Sequence, residues 1–220
     1  MKVRQARVQR VTGETQIQLR LALDGQGRSA IFTGIPFFDH MLTLTARHGL
    51  LNLTLTCQGD LEVDAHHTVE DCGLALGQAF AQALGDKKGL RRYGTGFDPR
   101  NPFTSEAYVP MDESLARCVV DFSGRPCLVW RGLEALAYKK LTRAERTQDG
   151  SSAFRFGLAR EFFQAFANEA RCALHLELLY GTEPHHVVEA LFKAFGRAIE
   201  AACQRDPRLG NRLPTTKGRL

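Results

Sequence analysis

The sequence predicts an α+β fold in which one β-β-α-β-α unit is used twice, giving two mainly antiparallel sheets with helices packed on one face. Three observations carry that prediction. Short segments in which apolar and polar residues alternate, the period of a half-buried strand, are interleaved with longer segments of helical period. The order of those segments in the first part of the chain recurs in the second. A His-His-x-x-Glu motif opens the last helix of each part, as His66-His67-Thr68-Val69-Glu70 and His185-His186-Val187-Val188-Glu189, and these pairs account for four of the 7 histidines.

The elements follow in order. Residues 3–11 alternate loosely, and residues 15–23 (Thr-Gln-Ile-Gln-Leu-Arg-Leu-Ala-Leu) alternate as a half-buried strand. Residues 36–49 read as a helix with Gly49 as its stop. Leu51-Asn52-Leu53-Thr54-Leu55 returns to strand period, and Val69, Leu74, Leu76, Phe80 and Leu84 suit one long helix over 67–84. In the second part, 115–122 and 126–133 read as strands, 154–169 as a helix, and 172–178 as a strand. A long helix over 185–203 follows, with Leu191, Phe192, Phe195 and Ile199. Hairpin-like order favours antiparallel sheets with helices on one face. The halves are 1–94 and 106–204, with a C-terminal tail at 205–220, and their similarity suggests pseudo-twofold packing as one unit. Residues 95–102 and 138–150 read as surface excursions.

Composition narrows the function. With 220 residues, 44% of them hydrophobic, the chain can build a sizeable core. No signal-like apolar run opens it and none approaches the roughly 20 residues that span a bilayer, so a soluble, cytoplasmic protein without a membrane partner is expected. The 6 cysteines are scattered, without a Cys-x-x-Cys, mostly inside apolar segments; they read as reduced, buried thiols. The net charge of +5 comes without a basic helical stripe or interleaved aromatic platform. A small anionic substrate accounts for it, and no nucleic-acid partner is expected.

The doubled motif is where the chemistry lies. Residues i and i+4 of a helix share a face, so His66 and Glu70 point together while His67 is turned by about 100°. One helix start thus offers ligands in two directions. Imidazoles with carboxylates suit a divalent ion such as Mn²⁺, Zn²⁺ or Fe²⁺, and no thiolate lies near enough to favour a softer metal. A single His-His pair would be an ordinary surface or capping feature; two pairs at equivalent places point to metal binding, with four imidazoles and two carboxylates for two ions. His40 precedes the first motif, and repeat alignment sets Glu161 in the matching place, where a solvated helix residue is the alternative. His48, beside Gly49 at a helix end, suits either a structural or a functional role. His175, alternating inside a strand, reads as a hydrogen-bonded framework residue. Glu14, a carboxylate before a strand, is unremarkable alone.

At this point the sequence resembles the imidazoleglycerol-phosphate dehydratase family of histidine biosynthesis. The resemblance rests on Thr33-Gly34-Ile35-Pro36-Phe37-Phe38-Asp39-His40-Met41-Leu42, on the stretch from Gly59 to Asp71 that holds the first motif, and on Val109-Pro110-Met111-Asp112-Glu113. It rests also on Ser123-Gly124-Arg125-Pro126, on His185 to Phe195, and on Leu213-Pro214-Thr215-Thr216-Lys217-Gly218. These cover nearly the whole chain in the family's order. The resemblance implies a fold of the ribosomal protein S5 domain 2 type and two Mn²⁺ ions per active site. It implies Mn-dependent dehydration of D-erythro-imidazole-glycerol phosphate to imidazole-acetol phosphate, through a metal-stabilised imidazolate and a diazafulvene-like intermediate. It further implies a homo-oligomer of about 24 subunits with sites shared between chains.

By the same resemblance, His40, His67, His185 and Glu189 match the ligands of one metal. His66, Glu70, His186 and Glu161 match those of the other. Glu14 is the candidate proton carrier, with His48 assisting or orienting a hydroxyl. Arg92, Arg125, Lys193, Thr215, Thr216 and Lys217 fall where the family contacts its phosphate substrate. There are departures: Glu161 stands where many members have a histidine followed by two phenylalanines, and the segments between Tyr93 and Val109 and between Arg125 and Glu161 are longer than usual. Two other readings share these ligands: a two-metal phosphoester hydrolase, and a metal-assembled shell protein that would need neither Glu14 nor the cationic tail.

Overall fold

The alternation in the first residues folds into an antiparallel pair, β1 (Gln5–Val11) and β2 (Thr15–Ala22), with Gly13 and Glu14 at the turn. On β2 the side chains of Thr15, Ile17, Leu19 and Leu21 are buried while Gln16, Gln18 and Arg20 face solvent, so its period of two becomes one apolar face. β2 also pairs antiparallel with β4 (Asn52–Gly59), and β3 (Ser29–Phe32) runs parallel to β4, giving the order β1-β2-β4-β3. In this computed structural model, residues 4–94, 108–136 and 154–220 are described. Both expected surface excursions therefore fall wholly or almost wholly outside the described residues.

The second sheet is built on the same plan. β7 (Ser114–Asp121) pairs antiparallel with β9 (Ala173–Tyr180), and β8 (Cys127–Arg131) lies parallel to β9. On its other side β7 meets two short antiparallel pieces, β5 (Tyr93–Gly94) and β6 (Tyr108–Met111), which together stand where β1 stands in the first sheet.

The repeated unit is therefore β-β-β-α-β-α, one strand longer than the alternation suggests, and both sheets are mixed, each containing one parallel pair. β3 escapes a period-two reading because it is a four-residue edge strand with no buried side chain. β7 and β8, adjacent in sequence, do not pair with each other; each pairs with β9. A connection through α3 inserts β9 between them, which alternation within the strands cannot reveal.

Four helices complete the halves: α1 (Pro36–His48), α2 (His66–Leu84), α3 (Phe156–Ala170) and α4 (Pro184–Cys203). α2 lies on β1, β2 and β4, and α4 on β5, β6, β7 and β9. Across the pseudo-twofold, α1 packs on α4 and α2 on α3, so each half's shorter helix serves the other half's long one. Phe162 joins the halves, its ring centroid 5.5 Å from that of Phe38 on α1 and 5.3 Å from that of Phe192 on α4, and Phe166 does the same with Phe80 on α2 at 5.2 Å. The apolar cluster runs without a break from Ala6 to Cys203. All six cysteines are free thiols, five of them buried and Cys127 exposed. Among the described residues, no helix is long and apolar enough to cross a membrane.

Equivalent glycines set the two helix crossings. A Cβ on Gly77 of α2 would lie 2.7 Å from the Phe166 carbonyl oxygen, and one on Gly196 of α4 would lie 2.9 Å from that of Thr45. Only hydrogen fits at either contact, and the close approach brings the starts of α2 and α4 alongside α3 and α1. Gly77→Leu should overpack the α2–α3 crossing and lower stability by about 1–3 kcal/mol. Urea unfolding should show this as a lower midpoint with an unchanged slope.

Candidate active site

The start of α4 gathers the densest group. Pro184 occupies its first turn, and the Glu183 side chain accepts a hydrogen bond from the His186 backbone N–H at 2.9 Å, capping the helix. His185 Nε2 lies 3.3 Å from Glu189 Oε2 one turn on. The α1–α4 packing brings His40 Nε2 to 3.6 Å from the same oxygen, and Lys193 Nζ lies 2.6 Å from Glu189 Oε1. The Glu189 side chain is only 9% exposed. Burial alone would push its carboxyl up, but Lys193, His40 and His185 together hold it below the usual range. It is therefore a buried carboxylate facing three nitrogens. His48 lies two turns beyond His40 on the same side of α1, half-buried. Burial first, then the charges of Lys193, Arg197 and Arg47, lower its pKa and favour the neutral ring.

The start of α2 is more open. His66 Nε2 stands 3.3 Å from Glu70 Oε2, with both side chains more than two-fifths exposed. His67 turns away, as the helical pitch requires: its Nδ1 lies 2.9 Å from Asp60 Oδ2, and its Nε2 is 3.6 Å from Glu14 Oε1. His186 behaves alike, with Nδ1 2.6 Å from Glu113 Oε2 and Nε2 3.5 Å from Asp112 Oδ2. A carboxylate can only accept, so in each ring Nδ1–H donates, and the neutral ring then keeps its lone pair on Nε2. The hydrogen bonds to Asp60 and Glu113 raise the pKa of His67 and His186 respectively.

The residues expected to ligate one metal are thus divided. His40 and His185 each approach the same Glu189 oxygen, at 3.6 and 3.3 Å, but His67 sits with Asp60 and Glu14. In the other set, His66 and Glu70 converge while His186 sits with Glu113. Glu161 lies on α3, which packs along α2, yet its carboxylate is 3.4 Å from Arg160, and no hydrogen bond or ion pair among the described residues joins it to His66 or Glu70. Among the described residues, no three ligating side chains close around one point in the single chain.

The expected anion-binding groups assemble elsewhere. Arg92 is 8% exposed and takes a positive φ of 76°. Its Nε and Nη2 donate to the two oxygens of Asp121 at 2.6 and 3.0 Å, and its Nη1 donates to the Pro214 carbonyl at 2.8 Å. Three of the guanidinium's five N–H groups are therefore occupied by the framework. The Pro214 bond, with Gly89 N–H donating to the Arg212 carbonyl at 2.9 Å, lays the tail across the strand edge. Thr215, Thr216 and Lys217 follow directly, and Leu220 ends against Gly124, beside Arg125. Arg125 and Lys217 are exposed and make no ion pair among the described residues. His175 is exposed on β9 and its side chain makes no hydrogen bond among the described residues, so the framework role read for its ring is not found.

Sequence reasoning gave no role to Asp60, Glu113 or Asp121. Glu113 stands in the Val-Pro-Met-Asp-Glu stretch, but nothing in its spacing points to His186, 73 residues on.

A duplicated frame with an imidazole–carboxylate pair at each long helix start defines an internally duplicated α+β enzyme. The family model described as imidazoleglycerol-phosphate dehydratase matches residues 33–199. Two relatives of that name are 51% identical (Thioalkalivibrio sulfidiphilus, 100% of both chains covered) and 49% identical (Acidithiobacillus ferrooxidans, 100% of this chain and 99% of the relative). Among solved structures, the Staphylococcus aureus imidazoleglycerol-phosphate dehydratase superposes with a TM-score of 0.73 at 37% identity, covering 92% of this chain and 99% of that one. The Pyrococcus furiosus structure gives 0.74 at 29% identity, covering 97% and 100%. The chain belongs to the imidazoleglycerol-phosphate dehydratase family and is a hydro-lyase. The hydrolase and shell-protein readings are thereby set aside.

Removing the partner of Arg92 should loosen the tail. Asp121→Ala should cost about 2 kcal/mol, the range for a hydrogen-bonded charged pair, and should hasten tryptic cleavage after Arg212 and Lys217 in the folded protein. Limited proteolysis timed against wild type measures this.

Proposed function

We propose that the chain dehydrates D-erythro-imidazole-glycerol phosphate to imidazole-acetol phosphate in histidine biosynthesis, in the cytoplasm, as a Mn²⁺-dependent homo-oligomer of about 24 subunits whose active sites are shared between chains. One observation carries the sharing. The Arg92 backbone N–H donates to Ala202 near the end of α4, whereas His185 stands at its start. At about 1.5 Å per residue, those places lie about 25 Å apart along the helix. An azole linked to a phosphate by three carbons is far too short to reach both. The cationic tail of one chain must therefore serve the imidazoles of another.

The donor sets fit two divalent cations. His40, His185 and Glu189 would hold one with His67 of a neighbouring chain, and His66, Glu70 and Glu161 the other with a neighbour's His186. Nδ1–carboxylate pairing supports this, because it leaves Nε2 of both His67 and His186 as the ligating atom. Glu161 in place of a histidine exchanges a nitrogen donor for an oxygen donor, which Mn²⁺ accepts well. When bound, the two cations supply Lewis-acid charge that stabilises negative charge spreading onto the azole.

The remaining steps belong to the chain. Glu14, 54% exposed at a hairpin turn and next to His67, takes the proton from the substrate carbon. The Glu14 carboxyl returns that proton to the departing hydroxyl of the neighbouring carbon, which leaves as water. The enol so formed moves its hydroxyl proton to carbon to give the ketone, and neutral His48 is placed to orient a hydroxyl. The two unused N–H groups of Arg92, with Arg125, Lys217 and the hydroxyls of Thr215 and Thr216, hold the phosphate. Lys193, already against Glu189, stands where a substrate oxygen would meet a cation. Anchoring the phosphate fixes the ring and contributes positional catalysis.

Stripping divalent metal with a chelator should abolish imidazole-acetol phosphate formation, and Mn²⁺ should restore it without release of inorganic phosphate. Full turnover by metal-free protein, or phosphate release, would refute the proposal. Glu14→Gln should lower kcat by about 10²-fold or more while leaving KM near wild type; near-normal turnover would exclude Glu14 as proton carrier.

A further inference from the structure

The duplicated hairpins place two glutamates at equivalent positions and treat them differently. Glu14 precedes β2 and Glu113 precedes β7, each as the last residue of the turn. Glu14 is open to solvent. Glu113 is held from both sides: its Oε1 accepts from Ser114 Oγ at 2.9 Å and from the backbone N–H groups of Glu183 at 2.9 Å and Thr182 at 3.3 Å, while its Oε2 accepts from His186 Nδ1 at 2.6 Å. In the first half the corresponding ring, His67, is held instead by Asp60, directly after β4. After β9, Gly181 answers Gly59 beside the hairpin strand and Thr182 stands where Asp60 does, so no carboxylate is offered there. The second half therefore draws its carboxylate from the hairpin.

We propose that Glu113 is a positioning residue for the reaction: it fixes the tautomer and orientation of His186 so that Nε2 presents a lone pair to a divalent cation, as Asp60 does for His67. The inference rests on the two-cation reading above. Its physical basis is that a ligating imidazole needs its other nitrogen held by an acceptor, and a carboxylate with three donors on one oxygen cannot turn away. Asp112 Oδ2 lies 3.5 Å from the same Nε2, outside ordinary hydrogen-bond distance, so it does not hold a proton on that nitrogen. The duplicated turn thus supplies a loosely held proton carrier in one half and a carboxylate anchored by four hydrogen bonds in the other.

Glu113→Gln is the discriminating variant. Its amide oxygen must take the place of Oε1, where three donors converge, so its NH₂ faces His186. The amide then donates to Nδ1 and drives the ring proton onto Nε2, while the loop stays anchored. Nitrogen-15 NMR of labelled, metal-free protein should show His186 protonated at Nδ1 in wild type and at Nε2 in Glu113→Gln. Mn²⁺ titration should show one of the two classes of site weakened by about 10–100-fold in the variant, with the unfolding midpoint little changed. Glu113→Asp, which keeps an acceptor, should recover part of that affinity. An unchanged tautomer, or two wild-type affinities in Glu113→Gln, would overturn the proposal. If wild type itself binds no Mn²⁺, the two-cation reading fails, and the tautomer measurement still decides whether Glu113 sets the ring.

Discussion

A helix of 20 residues holds its ends about 30 Å apart, and α4 carries different chemistry at each. At its start stand His185, His186 and Glu189. At its end, Ala202 and Gln204 accept backbone hydrogen bonds from Arg92 and Arg91, and the tail that bears Thr215, Thr216 and Lys217 is fastened through Arg92 to the same region. Nothing in the fold can shorten that distance, because α4 is buried along much of its length against the second sheet and α1. On the proposed reading, the imidazole end of one chain meets the cationic end of another, and the divided ligand sets fit that reading.

Duplication explains how one chain can face two ways. The exchange of short helices, α1 onto α4 and α3 onto α2, puts residue 40 beside the second motif and residue 161 on the helix that serves the first. Yet the halves have diverged. Glu189 is buried among three nitrogens, while Glu70 is open; His40 has a carboxylate as its counterpart; Glu14 has only its 3.6 Å approach to His67 where Glu113 is anchored by hydrogen bonds. The symmetry supplies the frame, and the departures from it assign separate tasks to equivalent positions.

Much of this is legible in the sequence because it has a period. The long helices and the alternating strands emerge from local pattern, and the two His-His-x-x-Glu motifs mark the helix starts where the structure places them. Features without a period do not emerge. β3 is too short and too exposed to alternate, and the edge strand of the second sheet is split into β5 and β6, on either side of residues 95–107. Glu113 and Asp121 act through contacts 73 and 29 residues apart along the chain, which local spacing cannot encode, and Asp60 reaches His67 only through the fold of the loop between β4 and α2. Arg92 reads, by the resemblance, as a phosphate contact; its burial follows from Asp121 on β7 and from the returning tail, both visible only once the chain has folded.

Mixed oligomers test the sharing of sites most directly. Arg92→Ala and His185→Ala, each purified as an inactive particle, would be dissociated, combined in equal amounts and reassembled. If each site draws Arg92 and His185 from different chains, random assembly restores about one quarter of wild-type dehydratase activity, since one pairing in four brings two intact ends together. If both residues serve the same site from within one chain, every site in the mixture carries a lesion, and activity stays at the level of the separate variants.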